Sequence, residues 1–156
     1  MDELSKILRD FKKLAIIGIG SELRKDDGIG LYIIQKLKVK IQNDRVEILE
    51  GGTTPENLSG VLRKIQPSHI LMIDAAKMGK EPGDYAIVDP ETVKGIGFST
   101  HTFSLGKIAA YFKEITGAEI VFLGIEPKEI DFGEGLSGEV LGAAAKISDQ
   151  LEAALA

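Results

Sequence analysis

Cysteine is absent from the 156 residues, and histidine occurs only twice. The lack of cysteine excludes disulfides, cysteine-ligated metal sites and a cysteine nucleophile. No apolar run reaches the roughly 18 residues that a membrane-spanning helix needs. The first residues, Met1 to Lys6, also lack the basic region and apolar stretch of a secretory signal. We therefore expect a cytoplasmic protein that does not bind a membrane.

Basic residues are also fewer than acidic residues. The 19 Lys and Arg residues are outnumbered by 24 Asp and Glu, which gives a net charge of -5 and a pI of about 5.1. This balance argues against a surface for nucleic acid or anionic lipid. The chain is long enough to bury a core, and it shows no repeat or linker, so we predict a single domain over residues 1–156.

Hydrophobic periodicity predicts strands that alternate with helices. Short apolar runs predict strands at 14–19, 45–50, 70–74, 85–88 and 119–125. Apolar residues at three- and four-residue spacing predict helices near 4–11, 28–37, 54–65, 105–112 and 140–151. We expect Thr54 and Ser137 to cap the third and the last of these helices.

This alternation predicts an α/β fold, a three-layer sandwich with helices on both faces of a twisted, mostly parallel sheet of about five strands. The ten-residue loop at 75–84 is too short for a crossover helix, so we predict that the strand after it is antiparallel. In such sheets, ligands bind beyond the carboxyl ends of the parallel strands. The residues at those ends are therefore the candidates for a functional site.

Three chemically useful side chains are expected at this edge: Asp27 after the first strand, Asp74 at the end of the third, and His101 at the opening of a helix. The Asp74 carboxylate follows four apolar residues, and a buried charge needs a partner. A helix N-terminus would keep the imidazole in the neutral form that binds metals. Two carboxylates and one imidazole suit Ni, Zn, Mn or Fe, so the residues alone do not select the ion.

Each candidate also has a simpler interpretation. Acidic residues at Asp26 and Asp27 can complement the dipole of the following helix, and His101 can serve as part of a helix cap. Other charged residues are less specific still. Three glutamates, Glu22, Glu50 and Glu126, are either substrate-facing or simply solvated, and His69 is predicted to be structural at the opposite edge of the sheet.

The glycines at Gly18 and Gly20 resemble the start of a dinucleotide-binding loop. However, Leu23 stands where the third glycine belongs, and the acidic residues nearby would repel a phosphate. The sequence also has no Walker A motif and no Gly-x-Ser-x-Gly motif. These observations disfavour a nucleotide site and serine-based catalysis.

Five segments in order resemble the hydrogenase maturation endopeptidases: GIGSELRKDDGIG (18–30), EGGTTPEN (50–57), MIDAA (72–76), STH (99–101) and LGIEP (123–127). The resemblance extends from about residue 14 to residue 141. The TPEN and GIEP segments look most like the branch that serves hydrogen-evolving, formate hydrogenlyase-type hydrogenases. The chain departs from the family pattern at Ser21, where Asn is usual, and at Glu50, where Asp is common.

The resemblance implies an enzyme that removes a C-terminal extension from the precursor of a nickel-iron hydrogenase large subunit after nickel has been delivered. Its three metal-contacting residues would be Asp27, Asp74 and His101. Nickel would arrive with the substrate, no organic cofactor is expected, and the enzyme is expected to be a monomer. Whether the metal anchors the substrate, polarises the scissile carbonyl or activates water stays open, as does direct activation of water by a carboxylate.

Other interpretations of the chain are a metal-binding chaperone or scaffold that holds the precursor without cutting it, a nucleotide-binding switch, and a peptidase with a different substrate.

Overall fold

The molecule is described by a computed structural model, which covers residues 4–5, 8–92, 94–95 and 104–156. Its strands are β1 (Leu14–Ile19), β2 (Val46–Gly52), β3 (His69–Lys77), β4 (Tyr85–Val88), β5 (Lys94–Gly95) and β6 (Glu119–Ile125). Its α-helices are α1 (Ile29–Lys40), α2 (Ser59–Ile65), α3 (Leu105–Thr116) and α4 (Gly138–Leu155). Two short 3-10 helices, Lys25–Gly28 and Pro55–Leu58, precede α1 and α2.

The main sheet has the strand order β2-β1-β3-β6-β4. The first four of these strands are parallel, and β4 runs antiparallel to β6. The predicted α/β fold, with about five strands of which one is antiparallel, is confirmed. The two-residue strand β5 pairs with the end of β3 and was not predicted, because two residues are too few to show a periodicity.

The sheet separates two hydrophobic cores. Along β1, Leu14 and Ile16 face a core that contains the apolar sides of α1 and α4, whereas Ala15 and Ile17 face a core with α2 and α3. All four side chains are fully buried. Because each large apolar residue buried in this way contributes about 1.5–3 kcal/mol, packing on both faces stabilises β1.

The start of α2 differs from the prediction. Thr54 makes no capping bond; its Oγ1 accepts instead from the side chain of Asn57 at 3.2 Å, and residues Pro55–Leu58 form a 3-10 helix. The α-helix that follows has only seven residues and buries a narrow stripe around Leu62. Val61, on the same helix, is 36% exposed as a result.

The N-terminal prediction is only partly covered by the described residues. Leu4, Leu8 and Phe11 are buried in the core under α1 and α4, and the Leu8 N–H donates to the Leu4 carbonyl at 3.1 Å. Ile7, which the same prediction included, lies outside the described residues. In the part of the chain that the structure covers, no helix combines the length and the apolar character required to span a membrane.

Candidate active site

A crevice is expected where the connections from β1 and β3 diverge. From β1 the chain passes through α1 to β2 on one side, and then through α2 to β3 on the other. Since α1 and α2 lie on opposite faces, the carboxyl ends of β1 and β3 form the switch point at which α/β sheets bind ligands. Asp27 lies in the connection that leaves β1, and Asp74 lies in β3 itself.

Glycines bring these two acidic residues together. A Cβ atom at Gly20 would overlap the backbone carbonyl of Asp27 and lie 3.3 Å from Asp74 Oδ1, so Gly20 touches both residues. A Cβ at Gly30, in α1, would overlap the carbonyls of Ile73 and Ile19. The glycine-rich motif therefore lets the start of α1 pack against the ends of β1 and β3, and it needs no bound phosphate to explain it.

Asp27 is fully buried in the short 3-10 helix before α1. Its Oδ2 accepts from the Ser21 N–H at 3.1 Å, whereas its Oδ1 has no hydrogen-bond partner among the described residues. Burial raises the pKa of Asp27 from its ordinary 3.8 to about 6, against the opposing effects of the Ser21 N–H and the Arg24 charge. Asp27 is thus ionised at neutral pH, but at a cost in stability.

Asp74 is also fully buried, and β3 continues for three residues beyond it to Lys77. Its Oδ1 accepts from the Ala75 N–H at 2.8 Å, and its Oδ2 has no partner within the described part of the chain. Burial raises the pKa of Asp74 well above 3.8, the negative charge of Asp27 raises it further, and the Ala75 N–H partly opposes both. Both effects therefore disfavour the ionised form of Asp74 when no cation is nearby.

The two carboxyl groups form an acidic site, and the positive charge of Arg24 acts on Asp27. Each has one oxygen without a hydrogen-bond partner among the described residues, and buried polar atoms normally have one. A cation would satisfy both oxygens. Within the described ranges, no group of three or more histidine, cysteine or acidic side chains could hold a metal ion.

His101 lies outside the described residues, so its proximity to the two carboxylates stays a prediction. The helix that it was expected to open begins later in the chain. α3 starts at Leu105, and Ser104 is its N-cap, with Oγ accepting from the Lys107 N–H at 3.2 Å.

Asp26 is the structural residue that the sequence interpretation missed. It is fully buried, and its Oδ2 accepts from the N–H groups of Lys128 and Glu129 at 2.8 and 2.9 Å. Its two oxygens also accept from the N–H and hydroxyl of Ser137. Asp26 therefore ties the turn that carries Asp27 to the loop between β6 and α4. The only local signal was its position beside Asp27, which we interpreted as a helix-dipole effect.

Ser137 is correspondingly not the side-chain cap that we predicted. It precedes α4 in the N-cap position but makes no capping bond, because its hydroxyl donates to Asp26 Oδ2 at 3.0 Å.

The three glutamates considered at this edge of the sheet, Glu22, Glu50 and Glu126, divide into two groups. Glu126 is 8% exposed, and its Oε1 accepts from the N–H groups of Met78 and Lys80 at 2.7 and 3.1 Å, so it organises the loop after β3. Glu22 and Glu50 are exposed to solvent.

His69 begins β3 at the opposite edge of the sheet, as predicted. Its Nε2 lies 2.9 Å from the Glu119 carboxylate, and its Nδ1 is 3.0 Å from the Ser68 hydroxyl. This arrangement joins the amino ends of β3 and β6 and places His69 far along the strand from Asp74.

Comparisons with known proteins agree with this architecture. The HycI family model, described as hydrogenase maturation protease, matches residues 31–154. A protein of Methanocaldococcus jannaschii, provisionally named a hydrogenase maturation protease, is 41% identical over 132 residues, which cover 80% of this chain and 78% of that protein. The hydrogenase 3 maturation protease of Escherichia coli is 29% identical over 138 residues, covering 88% and 87% of the two chains.

Solved structures show the same relationship. The crystal structure of a [NiFe] hydrogenase maturation protease from Thermococcus kodakarensis superimposes with a TM-score of 0.89 at 30% identity and covers 98% of both chains. The solution structure of an Escherichia coli endopeptidase gives 0.78 at 27% identity, with 90% of both chains covered. Since the family model and the relatives both span most of the sequence, this chain belongs to the hydrogenase maturation protease family.

Proposed function

We propose that this protein is an endopeptidase that acts in the cytoplasm and removes the C-terminal extension from the nickel-loaded precursor of a nickel-iron hydrogenase large subunit. One observation carries the proposal. In a member of this protease family, two buried carboxyl groups, Asp27 and Asp74, meet at the switch point of the sheet, and each keeps one oxygen without a partner among the described residues. These oxygens suit a cation that arrives with another protein.

In this proposal, Asp27, Asp74 and His101 contact nickel that the substrate already holds. The chain that leads to His101 starts beside the strand that carries Asp74, because β5 pairs antiparallel with β3 at Ala76 and Lys77. The same chain then returns to the sheet as α3. This connectivity supports the inclusion of His101 in the site.

The electrostatics of the pair give a reason for nickel dependence. Without a cation, burial and the charge of Asp27 disfavour ionisation of Asp74. A divalent ion that approaches both oxygens would offset these effects and stabilise the two carboxylates. A precursor that lacks nickel would offer no such compensation, so we expect the enzyme to bind it poorly.

The reaction itself is hydrolysis of a peptide bond, in which a water oxygen adds to the scissile carbonyl carbon and the leaving amine takes up a proton. Asp27 is ionised at neutral pH, since its pKa without metal is about 6, and a carboxylate oxygen of Asp27 that does not contact nickel would be suited to accept the proton of the attacking water. Its buried, fixed position allows this role only if the substrate reaches the crevice at the ends of β1 and β3.

The test is to incubate the purified protein with nickel-loaded precursor and to measure the precursor's mass. We expect a shortened product with the parent protein, and at least about a hundredfold slower processing with Asp27→Asn, Asp74→Asn or His101→Ala. The exposed Asp44 provides a matched control, since Asp44→Asn should process at the parent rate. Undiminished cleavage by both the Asp74 and the His101 variants would contradict the proposal. Stable binding of precursor by the parent protein without any shortening would favour a chaperone instead.

A further inference from the structure

A cleft of about 690 Å³ lies directly beside the turn that carries Asp27. One wall is the segment from Glu22 to Gly28, which contains Asp27, and the other comes from residues 134–136 and from α4. The floor is the start of α1. A polypeptide in this cleft would therefore lie against the turn that carries Asp27, although the buried side chains of Asp27 and Asp74 do not themselves line the cleft.

The lining of the cleft is apolar and accessible. Leu23 is 52% exposed, Tyr32 39% and Leu141 41%, so three of the seven exposed large hydrophobic residues in the described chain are gathered here. Phe132, 78% exposed, lies on the adjoining loop. Single exposed apolar residues need no explanation, but a contiguous group around a concave surface indicates a binding site.

The two walls are fixed to one another before any partner binds. The Lys25 N–H donates to the Gly133 carbonyl at 3.0 Å, and the Gly133 N–H donates to the Leu23 carbonyl at 2.8 Å. The hydrogen bonds to Asp26 join the same two segments. A preformed cleft loses little conformational entropy when it binds a ligand.

The charges at the cleft are mainly negative. The Lys25 ammonium lies 3.5 Å from a Glu129 carboxylate oxygen, so its charge is largely compensated. Glu22 and Glu134 also line the cleft, and neither forms an ion pair with a basic side chain in the described part of the protein. A ligand for this surface should therefore combine apolar side chains with positive charge.

We propose that this cleft binds an extended segment of the precursor that carries apolar and basic side chains, and thereby directs the scissile bond to Asp27. This inference rests on the proposed function. The volume lies within the range of roughly 300–1,000 Å³ that is typical of ligand pockets, which suits a few residues of a peptide. A second copy of the chain fits less well, since a twofold contact would bring two acidic surfaces together.

Charge reversal provides the first test. Processing of nickel-loaded precursor is measured with the enzyme in excess, over a range of enzyme concentrations, to obtain the half-saturating concentration. Glu22→Lys with Glu134→Lys should raise this concentration about tenfold, while Glu114→Lys, at an exposed acid on α3, should leave it unchanged. Equal values for the parent and the double variant would overturn the inference.

The apolar contribution is tested in the same assay. Leu23→Ser with Leu141→Ser should also raise the half-saturating concentration about tenfold. Val39→Ser is the matched control, because Val39 is 80% exposed and does not line the cleft. The same effect in the control and in the double variant would overturn the assignment of this surface.

A binding measurement separates this inference from the proposed function. Fluorescence anisotropy is recorded with a labelled peptide from the region around the precursor's cleavage site, and with a copy in which glutamate replaces its basic residues. The parent should bind the basic peptide more tightly. The variant with both Glu22→Lys and Glu134→Lys should bind the acidic peptide more tightly. Such a reversal of peptide preference supports peptide binding in the cleft even if no cleavage is seen. Cleavage without a reversal of preference overturns the role of the cleft but leaves the proposed function intact. A concentration-dependent dimer that Leu141→Lys abolishes would also overturn it, since a second copy would then occupy the surface.

Discussion

The carboxyl group of Asp26 accepts hydrogen bonds from both the backbone N–H and the hydroxyl of Ser137, at 2.7 and 3.0 Å, across 111 residues of sequence. Through these bonds the start of α4 is joined to the turn that positions Asp27. The bonds are charge-assisted and partly buried, which makes them stronger than neutral hydrogen bonds at the surface.

Replacement of Asp26 should destabilise the fold strongly. Asp26→Ala leaves the N–H groups of Lys128, Glu129 and Ser137 without their acceptor, and we expect the free energy of unfolding to fall by about 3 kcal/mol or more. Urea denaturation measures the change. Asp131→Ala, at an exposed acid in the same loop, should change it by less than about 0.5 kcal/mol. Similar losses in the two variants would contradict a structural role for Asp26.

The Ser137 hydroxyl should contribute to the free energy of unfolding only when Asp26 is present. Ser137→Ala removes the hydroxyl bond but keeps the N–H bond, so we expect a loss of about 1 kcal/mol in the free energy of unfolding. In an Asp26→Ala background, the same substitution should cost close to nothing, because the acceptor is already gone. A helix-capping serine would instead cost the same in both backgrounds, and a double-mutant cycle by urea denaturation distinguishes the two.

Gly20 should not tolerate a side chain. Its φ of +125° and the nearby Asp27 carbonyl both oppose a Cβ atom, so Gly20→Ala should lower the free energy of unfolding by at least about 2 kcal/mol. Gly60 in α2 is the control, since a Cβ there would meet no atom within 4 Å. Gly60→Ala should stabilise the protein by about 0.5–1 kcal/mol. Thermal or urea unfolding that ranks the two variants equally would contradict the packing described for Gly20.

Asp27 should make stability depend on pH. Its folded-state pKa is about 6 and its ordinary value is 3.8, so between these values the folded protein binds more protons than the unfolded chain. The free energy of unfolding therefore falls as pH rises through this window, and the full penalty remains above it. Asp27→Asn removes the cost of burying this charge. The free energy of unfolding of the variant minus that of the parent should therefore be greater at pH 7.5 than at pH 4, by up to about 3 kcal/mol.

Urea denaturation of metal-free protein at the two pH values measures this difference. Asp44→Asn, at an exposed acid, should shift stability by the same small amount at both. An Asp27→Asn effect that is equal at pH 4 and pH 7.5 would show that burial of Asp27 carries no such penalty.

Much of the fold could be predicted because its strands are buried on both faces. Strands β1 and β6 appear in the sequence as continuous apolar runs and were predicted with the observed bounds, Leu14–Ile19 and Glu119–Ile125. The antiparallel direction of β4 followed from the length of the loop before it. Once a parallel sheet was inferred, topology alone placed Asp27 and Asp74 at one edge.

The contacts that hold the site could not be predicted in this way. The partners of Asp26 lie 102 to 111 residues away, and no local pattern encodes such a distance. Glu126 likewise binds backbone N–H groups 46 and 48 residues before it. In the sequence, these buried acids look the same as the exposed Glu22 and Glu50, because only tertiary packing decides which acid is covered.

In the proposed function, the enzyme recognises nickel on its substrate through Asp27, Asp74 and His101. The most direct measurement compares the rate of C-terminal shortening of nickel-loaded and nickel-free precursor, followed by mass, for the parent protein and for Asp74→Asn. We predict that the parent shortens only the nickel-loaded precursor and that Asp74→Asn shortens neither. Equal rates on the two precursors, or parent-like processing by Asp74→Asn, would contradict nickel recognition through these residues.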